Sequence, residues 1–465
     1  MSDLSNFSPQ FDLSFIQKND KRGPRYTSYP TADHFRDFLP QEAQIHLQKR
    51  AKNPVNEALS LYFHLPFCRT ICYFCACNKI ITQDHGRSAK YIRYVAKELA
   101  LLADFLPEEK RQVAQLHWGG GSPTFLSDDE MALLMEATRK HFSLSETGEF
   151  SIEIDPRRVT KKTIQHLANL GFNRISLGVQ DFDLDVQTAI HRVQTEDETR
   201  AVVDAARENG FGSISFDLIY GLPKQSEKSF TNTLERTLLM NPDRLSIYNY
   251  AHLPQIFKPQ RRIFDQDLPS AETRLKLLAL SVNTLINAGY VYIGMDHFAK
   301  PSDELAIAQR ENRLHRNFQG YSTHADCDLL SFGISAISKI SGSYYQNYKT
   351  LDDYYQRLDE GILPVFRGIS LNQDDLLRRQ IIQNLMCHEV LNFADIENEF
   401  SIIFADYFKS ELNALKNHAE EGLIKLSARQ IKITPRGHFV VRTIAMIFDA
   451  HLQKGQEIKR YSKLI

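Results

Sequence analysis

Cysteine is scarce in this chain except in one place. Outside a single ten-residue run, its 465 residues hold only Cys327 and Cys387, so no disulfide framework is expected. Long apolar runs are missing too, and none approaches the ~20 residues that a membrane helix needs. The N-terminus lacks the basic and then apolar stretch of a secretory signal, and with free thiols the expected compartment is the reducing cytoplasm. An excess of one charge sign is also lacking. A formal net charge of −1 sets up no global field, so neither nucleic acid nor a membrane is an expected partner. No low-complexity linker interrupts the chain, and no repeat beyond alternating strand and helix patterns is present. Hydrophobic residues at 42% and charged residues at 24% are ordinary for a globular protein, with room for two or three domains of ~150 residues.

What the chain does have is Cys68-Arg-Thr-Ile-Cys72-Tyr-Phe-Cys75-Ala-Cys77, placed just after the apolar segment 58–65. A loop this tight can turn three thiolates toward one centre. A cubane iron–sulfur cluster holds four irons, so three thiolates leave one iron open to a non-protein ligand. Structural zinc usually asks for two separated cysteine pairs, or cysteine with histidine pairs, and no second pair exists here. A fully ligated cluster that also uses Cys77 is the alternative; Cys75 and Cys77 point apart if the backbone between them is extended.

Six alternating segments recur with helical patterns between them: 59–65, 113–119, 149–155, 174–180, 213–220 and 245–250. Strands alternating with helices predict βαβ units and a parallel sheet. Their alternation has a consistent sense. Ser151, Glu153 and Asp155 share one face against Ile152 and Ile154; Ser176, Gly178 and Gln180 oppose Ile175, Leu177 and Val179; Ser213, Ser215 and Asp217 oppose Ile214, Phe216 and Leu218. Parallel strands are ordinarily apolar on both faces, so a polar face repeated strand after strand predicts a lining for something wet or ligand-filled. The expected fold is α/β, an incomplete parallel (β/α)6 barrel of the TIM type. An N-terminal extension, 1–55, is expected to cover the active site. The barrel is placed at 56–350, with a buried element at 333–338. A mainly helical, winged-helix-like domain follows at 351–465. Such domains often bind DNA, but the balanced charge points to a structural or substrate-covering role.

Further motifs complete a candidate site. Trp118-Gly-Gly-Gly-Ser-Pro123 lets backbone approach a ligand closely. Glu153, Gln180 and Asp217 stand near the C-terminal ends of strands, the active face of barrels. Arg192 could clamp a carboxylate through its planar fork. Tyr62 is expected to face the side of the cysteine loop.

These motifs resemble those of the radical S-adenosylmethionine superfamily. Within it, the chain is similar to the oxygen-independent coproporphyrinogen III oxidases through residues 24–30, 72–78, 294–299 and 315–321. The resemblance implies that Cys68, Cys72 and Cys75 ligate a 4Fe-4S cluster while Cys77 does not. It implies two S-adenosylmethionine molecules, one touched by Tyr62, Gly120, Glu153 and Ile337. The other would be touched by Phe74, Gly121, Ser122, Gln180, Arg192, Asp217 and Ala251. Ser122 replaces the family's usual threonine, and Ala76 a common glycine. The cluster residues and Tyr62 carry the implied catalysis, the conversion of two propionates of coproporphyrinogen III to vinyl groups by a 5′-deoxyadenosyl radical. Implied partners are a reduced donor such as flavodoxin or ferredoxin and an unidentified electron acceptor, with the protein a monomer. Substrate carboxylates need cations, and the candidates are Arg25 and its basic neighbours Lys18, Lys21 and Arg22. A haem-binding chaperone paralogue is the competing member of the superfamily; Cys77 and residues 25–30 favour the enzyme.

Overall fold

The structure, a computed structural model, describes Lys18, residues 22–324 and residues 327–454. Its chain forms two compact units. One comprises residues 35–273 and 326–370; the other comprises the described parts of 1–34, 274–325 and 371–465. These units do not follow the sequential boundaries expected at 55 and 350. Helix α1 (Pro40–Lys52) belongs to the larger unit, where His46 bonds the Ser341 carbonyl (3.0 Å) and Ser370 Oγ (2.8 Å). On the same helix, Arg50 pairs with Asp328 (3.0 Å). Such contacts join residues hundreds of positions apart, which no local pattern announces.

In the larger unit six strands alternate with helices: β1 (Leu59–Leu65), α2 (His85–Ala103), β2 (Gln112–Gly120), α3 (Asp128–His141), β3 (Ser143–Ile154), α4 (Lys161–Asn169), β4 (Arg174–Gln180), α5 (Leu184–Ala189), α6 (Glu196–Glu208), β5 (Ser213–Tyr220), α7 (Glu227–Leu239) and β6 (Arg244–Asn249). All six strands pair in parallel in that order, as the alternation predicts. Helix starts are fixed by reciprocal caps, such as Ser127 with Glu130, Thr195 with Glu198 and Ser226 with Ser229, which satisfy amides that would otherwise lack partners.

A seventh parallel strand, β7 (Asp328–Phe332), pairs with β1 on its other side. It is followed by the antiparallel β8 (Ile337–Ile340), β9 (Ser343–Asn347) and β10 (Val365–Ser370). The element expected at 333–338 is therefore a turn and the start of β8. Every residue of β7 is buried, so it carries no alternation to read. Leu61, Phe63, Leu116, Trp118, Ile152, Ile175, Leu177, Ile214 and Phe216 are buried on one side of the sheet, with Phe63 stacked on Phe332 (4.9 Å) and edge-on to Trp118.

Behind the sheet, Glu98 of α2 is fully buried. Its carboxyl accepts the Gly333 N–H (2.8 Å), the Asn347 amide (2.7 Å) and the Tyr354 hydroxyl (2.6 Å). Burial raises its pKa to about 7 against the pull of these donors. The folded value lies above the ordinary carboxylate value of ~4.3, so between the two the native state holds a proton that the unfolded chain releases. Stability from this group is thus full below about pH 4 and is lost as pH rises toward about 7. Gln at position 98 does not titrate and sets an amide against donors. Glu98→Gln is expected to be destabilised more at about pH 5 than at about pH 8, the gap to wild type shrinking by on the order of 1–3 kcal/mol between them. Chemical unfolding at the two pH values checks this; a pH-independent gap would mean an ionised Glu98 throughout.

The smaller unit contains the helix Gln373–His388 and an antiparallel three-stranded sheet ordered Val390–Asn392, Gln430–Ile433, Ile424–Leu426, the winged-helix-like arrangement expected. Three of the four stretches that carried the family resemblance meet in this unit. Arg25 forms an ion pair with Asp296, Arg316 Nε donates to the Arg25 carbonyl (3.1 Å), and the Arg316 guanidinium lies 4.8 Å from the Tyr321 ring. Arg25, expected to meet substrate carboxylates, is thus held by Asp296, and Lys18 pairs with Glu421 (2.7 Å). Lys21 lies outside the described residues. No helix among the described residues is long and apolar enough to cross a membrane.

Candidate active site

After β1 the chain enters a two-residue strand, Phe67–Cys68, paired in parallel with Ile80–Ile81. Ile80 N–H donates to the Pro66 carbonyl (2.7 Å) and Thr82 N–H to that of Cys68 (3.0 Å). The cysteine loop therefore begins and ends at one place. Its turn is closed by Cys75 N–H on the Cys72 carbonyl (3.3 Å). The rest of its backbone is held from outside: Tyr73 N–H by Ile190 (3.0 Å), the Ile71 carbonyl by His191 Nδ1 (2.7 Å), and the Phe74 carbonyl by Gln260 (2.9 Å). Lys79 Nζ reaches the Cys75 carbonyl (3.0 Å). With these backbone groups satisfied, the thiols can face inward.

They face a cavity of about 330 Å³. Of the residues singled out in the sequence, Cys68, Cys72, Phe74, Cys75, Gly120, Gly121, Ser122, Glu153, Gln180, Arg192 and Asp217 line it together. Cys77 lines it too, and its thiol acts electrostatically on that of Cys75. The two cysteines do not point apart, because the loop turns here rather than extending. Tyr62, Ala251 and Ile337 are not among the lining residues. Tyr62 stacks on His117 (5.9 Å), and its hydroxyl lies 3.2 Å from His64 Nδ1. The Ala251 carbonyl shares the Gln260 amide with Phe74 (3.2 Å), and Ile337 offers its carbonyl to Ser331 (2.6 Å).

The glycine turn is packed too tightly for side chains. Gly121 N–H donates to the Leu65 carbonyl and Ser122 N–H to that of Phe67, both at 2.9 Å. A Cβ on Gly120 would sit 2.4 Å from His64 Nδ1, and that residue's φ is +107°. Gly120 N–H donates to Glu153 (3.0 Å), whose other oxygen is 3.4 Å from His117 Nε2. Burial opposes ionisation of Glu153, but His117 and the Gly120 N–H outweigh it and hold the carboxyl below its usual range. Its side chain is 43% exposed because it looks into the cavity. Asp217 behaves oppositely: burial and then the Glu153 charge push it up to about 6, although Ser176 donates to it (3.0 Å).

Asp155, Arg157 and Gln260 were not among the expected site residues. Asp155 shares the polar face of β3 but is read as site only once its partners are known. It accepts from Arg157 (2.6 Å) and lies 3.4 Å from Arg192. Burial works against its charge, and those two guanidiniums keep it low. Arg192 does not present an empty fork: it also donates to the Gly178 carbonyl (2.6 Å) and approaches Cys72 Sγ (3.7 Å). Its Nε is buried without a hydrogen-bond partner, a donor that a bound anion would satisfy. Gln260 and Arg157 carry no sequence signal, being a lone amide and an arginine beyond the strand end.

Soft thiolates on one wall suit an iron–sulfur cluster, and Arg157 and Arg192 beside Cys72 offset thiolate charge. Burial, and then the charges of Cys75 and Cys72, push the Cys68 thiol up to about 12, whereas the neighbouring Cys77 thiol brings Cys75 down to about 6. No three His, Cys, Asp or Glu side chains among the described residues converge as donors to one metal ion. A cubane makes a different demand, since each thiolate binds its own iron.

The family model described as the radical SAM superfamily matches residues 62–237, and that of the HemN C-terminal domain matches 371–440. The chain is 48% identical over 458 residues to an oxygen-independent coproporphyrinogen III oxidase of Pseudomonas aeruginosa, covering 98% of this chain and 99% of that protein. It is 46% identical over 462 residues to that of Salmonella typhimurium, covering 99% and 100%. The solved coproporphyrinogen III oxidase of Escherichia coli, a radical SAM enzyme, superimposes with a TM-score of 0.90 at 46% identity, covering 95% of this chain and 99% of that one.

Proposed function

The chain belongs to the oxygen-independent coproporphyrinogen III oxidase family of the radical SAM superfamily, and from that premise we propose that it oxidatively decarboxylates two propionates of coproporphyrinogen III. Each becomes a vinyl group with loss of carbon dioxide, giving protoporphyrinogen IX in haem biosynthesis. The observation that carries this reading is the convergence of Cys68, Cys72 and Cys75 with the Gly120–Ser122 turn and Glu153 on one cavity. When bound, the 4Fe-4S cluster and S-adenosylmethionine supply a carbon-centred radical able to take hydrogen from a propionate β-carbon.

The chain's own residues hold and orient. Cys68, Cys72 and Cys75 ligate the cluster. Glu153, kept anionic by His117 and the Gly120 N–H, suits the ammonium of the methionine moiety. Arg192 Nε, buried without a partner, suits the carboxylate of a second S-adenosylmethionine. The walls exclude water and fix the reacting atoms, which is the protein's share of radical catalysis. A second S-adenosylmethionine would use Phe74, Gly121, Ser122, Gln180, Arg192, Asp217 and Ala251, with Tyr62 and Ile337 supporting the first. Arg25 would reach a substrate carboxylate only by exchanging Asp296. The protein would act as a cytoplasmic monomer fed by reduced flavodoxin or ferredoxin, with an electron acceptor still to be identified.

The test is anaerobic incubation of the reconstituted protein with coproporphyrinogen III, S-adenosylmethionine, reductant and cell extract. Mass spectrometry should find loss of two carboxyl groups together with 5′-deoxyadenosine. Deoxyadenosine without decarboxylation would mean another substrate; neither product, from cluster-loaded protein, would point to a haem-binding role.

A further inference from the structure

The cysteine loop has an outer side as well as a cavity side. Tyr73, between Cys72 and Cys75, stacks on His191 (4.8 Å, 9° between planes). Arg262 covers the same ring at 5.1 Å and donates to the Tyr73 hydroxyl (3.1 Å). Arg262 ends the short 3-10 helix Lys258–Arg262, which is clamped to the loop by buried Gln260 and is followed by buried Ile263 in an apolar cluster with Ile190 and Tyr250.

This clamped segment keeps three cations in water. Lys258, Arg261 and Arg262 are exposed, and none pairs with an acidic side chain among the described residues. Of the nearby carboxylates, Asp267 pairs with Lys224, and Asp265 lies 3.2 Å from His252 with its side chain 92% exposed. Large apolar side chains adjoin the cations along the chain: Ile256 is 63% exposed and Phe264 61%. Exposed apolar groups rimmed by like charges mark interaction surfaces, and the charge selects an acidic partner. The segment lies over the turn that carries two of the cluster's proposed ligands.

Resting on the function proposed above, we propose that this face docks an acidic one-electron carrier protein and passes its electron in through the Cys72–Cys75 turn. The carrier leaves oxidised by one electron for each S-adenosylmethionine cleaved. Such encounters are small and weak, and long-range charge speeds them more than contact area does. Lys258 and Arg261 act by steering, and Phe264 and Ile256 by contact.

The test uses the cluster-loaded protein with oxidised flavodoxin, and separately ferredoxin, as probes of binding by calorimetry at low and high salt. The reduced carriers, or dithionite, then drive deoxyadenosine formation. Lys258→Glu/Arg261→Glu is expected to weaken carrier binding and carrier-driven turnover about tenfold or more, with dithionite-driven turnover unchanged. Phe264→Ser, which leaves the charges in place, is expected to weaken binding several-fold while dithionite still works. Binding of both carriers that neither variant alters, or no binding of either carrier to the wild type at low salt, would overturn the proposal. So would a dimer of the protein alone, by sedimentation, that Phe264→Ser dissociates, because the face would then belong to a second copy. Absence of dithionite-driven deoxyadenosine in the wild type would instead sink the functional reading and leave the binding result standing.

Discussion

Alanine at Cys68, Cys72 or Cys75 is expected to strip the protein of iron and take activity below detection. The same change at Cys77 is expected to leave iron content close to wild type. All four thiols line one cavity and Cys77 acts on Cys75, so proximity does not choose among them. The chemistry does. A cubane bound by four thiolates has no open iron, and the reading of this cavity needs one for S-adenosylmethionine. Three positions are also built into the frame. Cys68 belongs to the two-residue strand pair, and Cys72 and Cys75 close the turn between them. Cys77 follows the turn, where Lys79 bonds its carbonyl at 3.4 Å. Its part toward the cluster would be a hydrogen bond to a ligand sulfur, which tunes rather than holds. Iron analysis and the visible spectrum after anaerobic reconstitution check this. Loss of iron from Cys77→Ala equal to that from Cys75→Ala would make Cys77 a fourth ligand and remove the site for S-adenosylmethionine.

What was legible in the sequence was whatever repeats or stays local. Ser176, Gly178 and Gln180 against Ile175, Leu177 and Val179 announce both a strand and a wet interior, and the structure puts Ser176, Gly178 and Gln180 on the cavity wall. The cysteine run and the glycine turn lie in short stretches, so their meeting could be read from adjacent strands. Elements set by distant contacts were silent. β7 is buried on both faces and lost its alternation; α1 joins the larger unit through Ser341, Ser370 and Asp328. Gln260 holds two backbone carbonyls of the site, yet reads as one more polar residue in a basic stretch. Arg192 was legible as a site residue, but its commitment to Asp155 was not, because that pairing joins the end of β3 to the loop after α5.

Gly121→Ala should cripple turnover with a single added methyl. A Cβ there would lie 2.6 Å from the Pro66 carbonyl carbon, 2.7 Å from the Leu65 oxygen and 2.8 Å from the Pro66 oxygen. These are backbone atoms, so no side chain can swing away. The same peptide accepts the Gly121 N–H and launches the cysteine loop, so relief of the clash must move either the loop or the turn. Overpacking of this kind costs about 1–3 kcal/mol of stability. Displacing reacting groups by a fraction of an ångström to an ångström costs about a hundredfold in rate. The expected result is a folded protein with at least a hundredfold lower turnover and weakened S-adenosylmethionine binding. Gly212→Ala is the control. Its added Cβ meets nothing closer than the Asn173 oxygen at 3.9 Å, so stability and turnover should stay near wild type. Turnover and equilibrium binding of S-adenosylmethionine, measured on both variants after reconstitution, decide the matter. Gly121→Ala with wild-type binding and turnover would mean that the loop tolerates movement at its root, and that the close packing of β1 against β2 is not what positions the cluster.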